Sequence, residues 1–178
     1  MRSQHGDGAV ELDGTNCVVR LAGPQDSAAV ARLLVAIEAH YLGQDRTSTV
    51  EDAQAMVGHA FETAEGTRFA VAEIAGEAVG IACFAILRPG HLLEGLVYLK
   101  ELFVVDKARG QGVGAGLMAF LASFAREHGL GRIDFTTDAG NDASQRLYEG
   151  LGATRQPKVA YRLEGEALDA LARKAAFR

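Results

Sequence analysis

At 178 residues, with 48% hydrophobic and 23% charged side chains, the chain has the size and balance of one ordinary globular domain. Such a chain buries roughly 70% of its unfolded surface and needs neither a disulfide framework nor a metal for stability. A formal net charge of -5 argues against a general nucleic-acid surface, no apolar run is long enough for a bilayer span, and the N-terminal segment lacks a signal-peptide core, so a cytoplasmic protein without nucleic-acid or membrane partners is expected.

Residues 1–16, "MRSQHGDGAVELDGTN", read as a mobile tail ahead of a single domain over 17–178. "CVVRL" is a first strand. "GPQDSAAVARLLVAIEAHY" follows as a helix with Pro24 near its first position and a buried stripe of Val30, Leu33, Leu34, Ile37 and Tyr41. "STVEDAQAMVGHAF" is a second helix, with Ser48 and Glu51 spaced as a capping box and Val50, Ala53, Val57, Ala60 and Phe61 on one side. "RFAVAEIAGEAVGIACFAIL" holds two strand-like runs broken at Gly76 and Glu77, a hairpin signal. "LVYLKELFVV" is the fourth predicted strand, and Val113, Leu117, Phe120, Leu121, Phe124 and His128 mark a long helix after it. "RIDFTTD" is a fifth strand, "DASQRLYEGLG" a short helix ended by Gly150 or Gly152, "KVAYRL" a further strand and "EALDALARKAAF" a terminal helix.

These elements specify an α/β fold class, in the α+β sense of a mixed, mostly antiparallel central sheet with helices on both faces. The crossover from Tyr98 to Thr137 makes the fourth and fifth strands parallel neighbours. Cys17 and Cys83 each sit in apolar sequence and read as buried, reduced thiols. The five histidines lack the close spacings of a zinc site, so no metal is expected.

The chemical signal lies in "FVVDKARGQGVGAGLM", where a strand empties into a turn and Gly110, Gly112, Gly114 and Gly116 surround the start of a helix. The first N–H groups of a helix lack internal partners, and the aligned peptide dipoles add positive charge there. Glycines let a phosphate approach such a backbone, with Lys107 and Arg109 placed to add charge. Gly110, Gly112 and Ala115 also satisfy the dinucleotide pattern GxGxxG/A. Against that reading, "DKAR" separates strand from glycines, Asp134 lies inside its strand, and only 41 residues follow Thr137. No GKS or GKT follows, which excludes a Walker loop.

Arg109, Gly112 and Gly114, behind "YLKELFVV", match the acetyl-CoA motif Q/R-x-x-G-x-G/A, and "NDASQRLYEGLGA" matches a second motif, N-x-x-A-x-x-L-Y-x-x-x-G-F/A, with Ser144 in place of alanine. Through these two motifs the chain resembles the GNAT superfamily of N-acetyltransferases, over about Val18 to Leu163. Within it, "YLKELFVVDKARGQGVG" and "YRL" are most similar to the spermidine/spermine and thialysine acetyltransferases. Those proteins usually carry an acid where this chain has Lys100, so their polyamine substrate is not carried over.

The resemblance implies acetyl-CoA as cosubstrate, direct attack of a primary amine on its thioester, and parallel fourth and fifth strands that splay apart. It assigns the backbone of Leu102, Phe103 and Val104 to the pantetheine arm and acetyl carbonyl. It assigns Arg109, Gly110, Gln111, Gly112, Val113, Gly114 and Ala115 to the pyrophosphate, and Asn141 and Ser144 to further cofactor contacts. Tyr148 matches the usual general acid. Glu101 is the nearest carboxylate for a base, although strand alternation sets it opposite Lys100, Leu102 and Val104 unless the strand bulges; pairing with a neighbouring cation and proton removal through water remain as alternatives. His40, Tyr41, Asp45 and Glu94 are polar candidates for acceptor recognition, from "LGQDRTST" and "RPGHLLEG" and their surroundings. A homodimer is a further expectation. A regulatory acyl-CoA-binding module of the same fold, and more distantly a nicotinamide-dependent oxidoreductase, are the competing readings.

Overall fold

The computed structural model describes residues 8–12, 16–63, 66–90 and 94–174. A six-stranded sheet runs in chain order, β1 (Val10–Glu11), β2 (Cys17–Leu21), β3 (Thr67–Ile74), β4 (Glu77–Leu87), β5 (Gly95–Val104) and β6 (Leu130–Phe135). All neighbours are antiparallel except β5 and β6, which are parallel across the α3 (Val113–Glu127) crossover. The mixed, mostly antiparallel sheet expected from sequence is therefore present. β1 pairs with β2 through Val10↔Val19 and Glu11↔Val18, so those two residues belong to the sheet and not to a tail.

Strand alternation sends side chains to two separate cores. Phe69, Val71, Ile81 and Cys83 face α1 (Ser27–Leu42) and α2 (Val50–Glu62) and pack with Val30, Leu33, Ile37 and Val57. Ala70, Ala72, Ala82, Phe84, Val97 and Leu99 face α3, whose Val113, Leu117, Phe120, Leu121 and Phe124 fill the opposite side. Both cysteines are buried and neither is in a disulfide.

The turn between β3 and β4 falls at Ala75 and Gly76, both at positive φ, one residue before the break expected from sequence. Tyr41 is 57% exposed and leaves the α1 stripe. Thr49, not Ser48, caps α2: its Oγ1 accepts from Asp52 N–H at 3.1 Å, while Ser48 N–H and hydroxyl donate to the Glu38 carboxylate. The capping pattern is real but begins one residue later, at Thr49 and Asp52.

α4 (Asp142–Gly150) follows β6, and α5 (Gly165–Lys174) ends the described chain. "KVAYRL" is not a strand. Residues 153–164 carry no regular element, with Val159 74% and Tyr161 92% exposed, because no sheet edge lies against their backbone.

Candidate active site

Three features meet at the C-terminal end of β5. The first is an opened seam in the sheet. Pairing of β5 with β6 ends at Leu99↔Phe135, where β6 stops, while β5 continues beside β4 through Val104. Leu102, Phe103 and Val104 are thus bound to β4 on one side and offer the other edge of their backbone to the gap. This is the splay expected between those two strands.

The second feature is the glycine turn. Gly110 and Gly112 lie at φ 74° and 80°, a conformation that favours glycine, and a Cβ at either position would meet no protein atom within 4 Å. Gly116 N–H makes the first α-type bond, to Gly112 C=O at 2.9 Å, so the N–H groups ahead of it have no partner within the helix. The other two glycines serve packing instead. A Cβ on Gly114 would press Leu147 Cδ2 at 3.3 Å, and one on Gly116 would collide with the Leu12 side chain. Gly80 of β4 plays a related part, since a Cβ there would meet Val113 Cγ1 at 3.0 Å; its bareness lets the first turn of α3 close onto the sheet beside Val104.

The cations expected to help this turn are already engaged. Lys107 pairs with Glu77 at 2.6 Å. Arg109 pairs with Asp106 at 2.9 Å, donates from Nε to Val104 C=O at 3.1 Å, and lies over the Phe103 ring at 5.9 Å. These groups are exposed, so their pairs open at little cost. Gln111 Nε2 donates to Lys107 C=O at 3.0 Å and steadies the turn, and Val113 is buried beneath it.

The third feature is α4. Asn141 is its cap, with Oδ1 accepting from Ser144 N–H at 3.0 Å. Tyr148 packs against the α3-side core, its ring 4.5 Å from that of Phe135 at the end of β6. Burial first, and then the nearby Tyr41 and Glu101, push the Tyr148 phenol above its ordinary pKa. The hydroxyl therefore stays protonated at neutral pH.

Glu101 approaches the seam from the other face. It pairs with Cys83, which belongs to the α1/α2 core, and so stands opposite Leu102 and Val104. Its relation to Lys100 follows the bulged, cation-paired alternative and not unbroken alternation. Phe84 pairs with Leu99 and Cys83 with Glu101, so Lys100 is an extra residue, a bulge, and its Nζ lies 2.6 Å from Glu101 Oε1. The hydrogen bond to Glu101 raises the Lys100 pKa. Burial and then Glu101 push the Cys83 thiol up to about 12, leaving it inert.

His40 and Tyr41 come to this place, as expected: the last turn of α1 sets the His40 ring 6.0 Å from Phe103. Asp45 is exposed on a short 3-10 turn after α1. Glu94 does not belong here. It precedes β5, seven residues before Glu101, about 23 Å along an extended strand, and rests against Gly131. "RPGHLLEG" thus joins the far ends of β4 and β5; its residues 91–93 lie outside the described ones. A hollow lined by Ala60, Phe61, Arg68 and Phe69 also lies apart from the seam.

Gly80 was not anticipated from sequence, and the bulge stood there only as an alternative to unbroken alternation. The signal for the bulge was present: Lys100 and Glu101 are adjacent charges inside an otherwise apolar strand, which an unbroken alternation would force onto opposite faces.

Comparison with known proteins bears on the family and the fold. The family described as "Acetyltransferase (GNAT) family" matches residues 34–153. A D-amino-acid N-acetyltransferase of Saccharomyces cerevisiae is 34% identical over 90 residues, 51% of this chain and 55% of that protein. A thialysine N-epsilon-acetyltransferase of Bos taurus is 30% identical over 82 residues, 44% of this chain and 48% of that protein. The chain spans about half the length of these curated relatives. Among solved structures, an integron cassette protein from the mobile metagenome of V. cholerae superposes with a TM-score of 0.82 at 29% identity, covering 89% of this chain and 99% of that one.

Proposed function

The chain belongs to the acetyltransferase (GNAT) family, and on that premise we propose that it is an acetyl-CoA-dependent N-acetyltransferase acting on a primary amine of a small molecule, amino acid or peptide. The observation that carries the reading is the conjunction of an unpaired β5 edge with a helix N-terminus whose first N–H groups are free within the helix. The residues present fit the cosubstrate. Backbone N–H groups from Gly110 to Ala115 would hold its pyrophosphate, and the free edge of Leu102, Phe103 and Val104 would receive the pantetheine arm and polarise the thioester carbonyl. Asn141 supports the seam by capping α4, next to Ser144.

Bound acetyl-CoA supplies the thioester, and an acceptor amine forms the new C–N bond as the C–S bond breaks. Tyr148 would give its phenolic proton to the departing sulfur. A phenol of pKa about 10 or above does so only as the thiolate forms, which suits a general acid. Glu101, on the acceptor side, would take the amine proton directly or through water, once Lys100 swings away. Tyr148 packs with the α3-side core and Glu101 stands beside Cys83 of the α1/α2 core, and a phenol raised above its ordinary pKa keeps its proton in the presence of that carboxylate.

Release of free thiol from acetyl-CoA, followed across polyamines, amino acids, aminoglycosides and peptide amines, tests the reading. Acceleration by at least one class is expected. Tight binding of acetyl-CoA with no acceleration by any amine would turn the reading toward a regulatory module.

A further inference from the structure

The bulge in β5 joins two charges that an unbroken strand would separate. Successive strand side chains point to opposite faces, yet Lys100 Nζ and Glu101 Oε1 lie 2.6 Å apart. Both flank Cys83 on the α1/α2 face, and Phe103 with the His40 ring near it continues the same surface. Glu101 is the only acid on β5, and it is already paired. The two partners are held unequally: the Lys100 side chain is 70% exposed on a flexible stem, whereas Glu101 is 29% exposed.

We propose that the acceptor carries a carboxylate beside its reactive amine, as an α-amino acid does, with Lys100 receiving the carboxylate and Glu101 the ammonium. The inference rests on the N-acetyltransferase reading above and narrows its substrate class. A simple cation reaching Glu101 shares the carboxylate with Lys100 and meets that like charge at close range. A zwitterion exchanges the pair for two new pairs, so each charge keeps an opposite neighbour. Its two charged groups, one carbon apart, suit two centres that open from contact by a few ångströms. A polycation gains nothing at this surface, where its second charge would meet Lys100. Glu101 lies within electrostatic range of the Tyr148 phenol, as Tyr41 does, so an amine held at Glu101 would stand on the side of the seam that the phenol faces.

The test compares thiol release from acetyl-CoA for a set of amino acids, their methyl esters and their decarboxylated amines. The esters hold more neutral amine at the assay pH but no carboxylate, so nucleophile availability alone would favour them. The expected result is a kcat/KM for the amino acid about tenfold or more above both analogues, the scale of one charge-assisted contact. Lys100→Met should collapse that ratio through KM of the amino acid, while Lys100→Arg should restore much of it. Acetyl-CoA titration calorimetry on each variant verifies that the cosubstrate site is folded. Esters or amines favoured by the parent protein would overturn the inference, as would an unchanged preference in a Lys100→Met protein that binds acetyl-CoA. Release with every acceptor but without preference removes this inference alone; no release with any acceptor removes the N-acetyltransferase reading with it.

Discussion

Tyr148 and Gly112 carry the sharpest consequences at the scale of single residues. Replacing Tyr148 by Phe keeps the ring against Phe135 and removes only the hydroxyl, so turnover should fall about 10²- to 10⁴-fold while acetyl-CoA affinity holds. Steady-state kinetics beside calorimetry separates the two, and parental turnover would return Tyr148 to a packing role. Because the phenol pKa is raised, the acid form persists through neutral pH, and the alkaline loss of kcat should begin no lower than the ordinary tyrosine range, about pH 10. Gly112→Asp acts differently. Its φ of 80° favours glycine but is better tolerated by Asp than by most residues with a Cβ, and the carboxylate would stand where a pyrophosphate is expected. Acetyl-CoA binding should be lost in a titration even where circular dichroism shows an intact fold.

At the scale of elements, the junction of β2 with α1 rests on a small ionic network. Arg20 donates to both Asp26 carboxylate oxygens at 2.7 and 2.8 Å and also pairs with Glu73, while Gly23 N–H donates to Asp26 Oδ2 at 2.8 Å. The hydrogen bond from Arg20 depresses the pKa of nearly buried Asp26, outweighing its desolvation. The stability this depression contributes is fully present above the ordinary carboxylate pKa of about 3.9 and is lost as pH falls below it, toward the depressed folded value. Asp26→Asn should cost about 1–3 kcal/mol in urea unfolding at pH 7 and flatten the acid limb of the stability curve; equal acid sensitivity in both proteins would exclude Asp26 as its source. The same element scale shows what sequence makes legible. Helical spacing of Val30, Leu33 and Ile37, and of Val113, Leu117 and Leu121, located α1 and α3 because those side chains are in fact buried. The cap of α2 slipped by one residue because Ser48 and Thr49 offer the same hydroxyl chemistry, and only the competing Glu38 carboxylate decides between them. The bulge at Lys100 stayed an alternative and not a prediction because register depends on the partner strand, which local periodicity does not contain.

For the whole molecule, the fold produces its site by ending β6 early. Once β6 stops at Phe135, β5 presents an edge, α3 begins beside that edge under bare Gly80, and α4 returns Tyr148 to the same gap. Both motifs that revealed this arrangement in sequence lie on the segments lining the gap, which is why the side proposed for the cofactor was legible and the side proposed for the acceptor, with α1 and a bulge, was less so. "KVAYRL" alternates as a strand does, yet alternation alone supplies no neighbour, and Val159, Tyr161 and Leu163 stay exposed. If the gap holds acetyl-CoA, ligand at a hundredfold excess over Kd should add about 2.7 kcal/mol of stability, and NAD none. A thermal-denaturation pair with the two cofactors reads this directly. The most direct measurement is a crystal structure with acetyl-CoA bound. The account predicts pyrophosphate oxygens about 3 Å from the N–H groups between Gly110 and Ala115, and the thioester against the free edge of Leu102 to Val104. Acetyl-CoA bound elsewhere, with that turn and edge untouched, would contradict it.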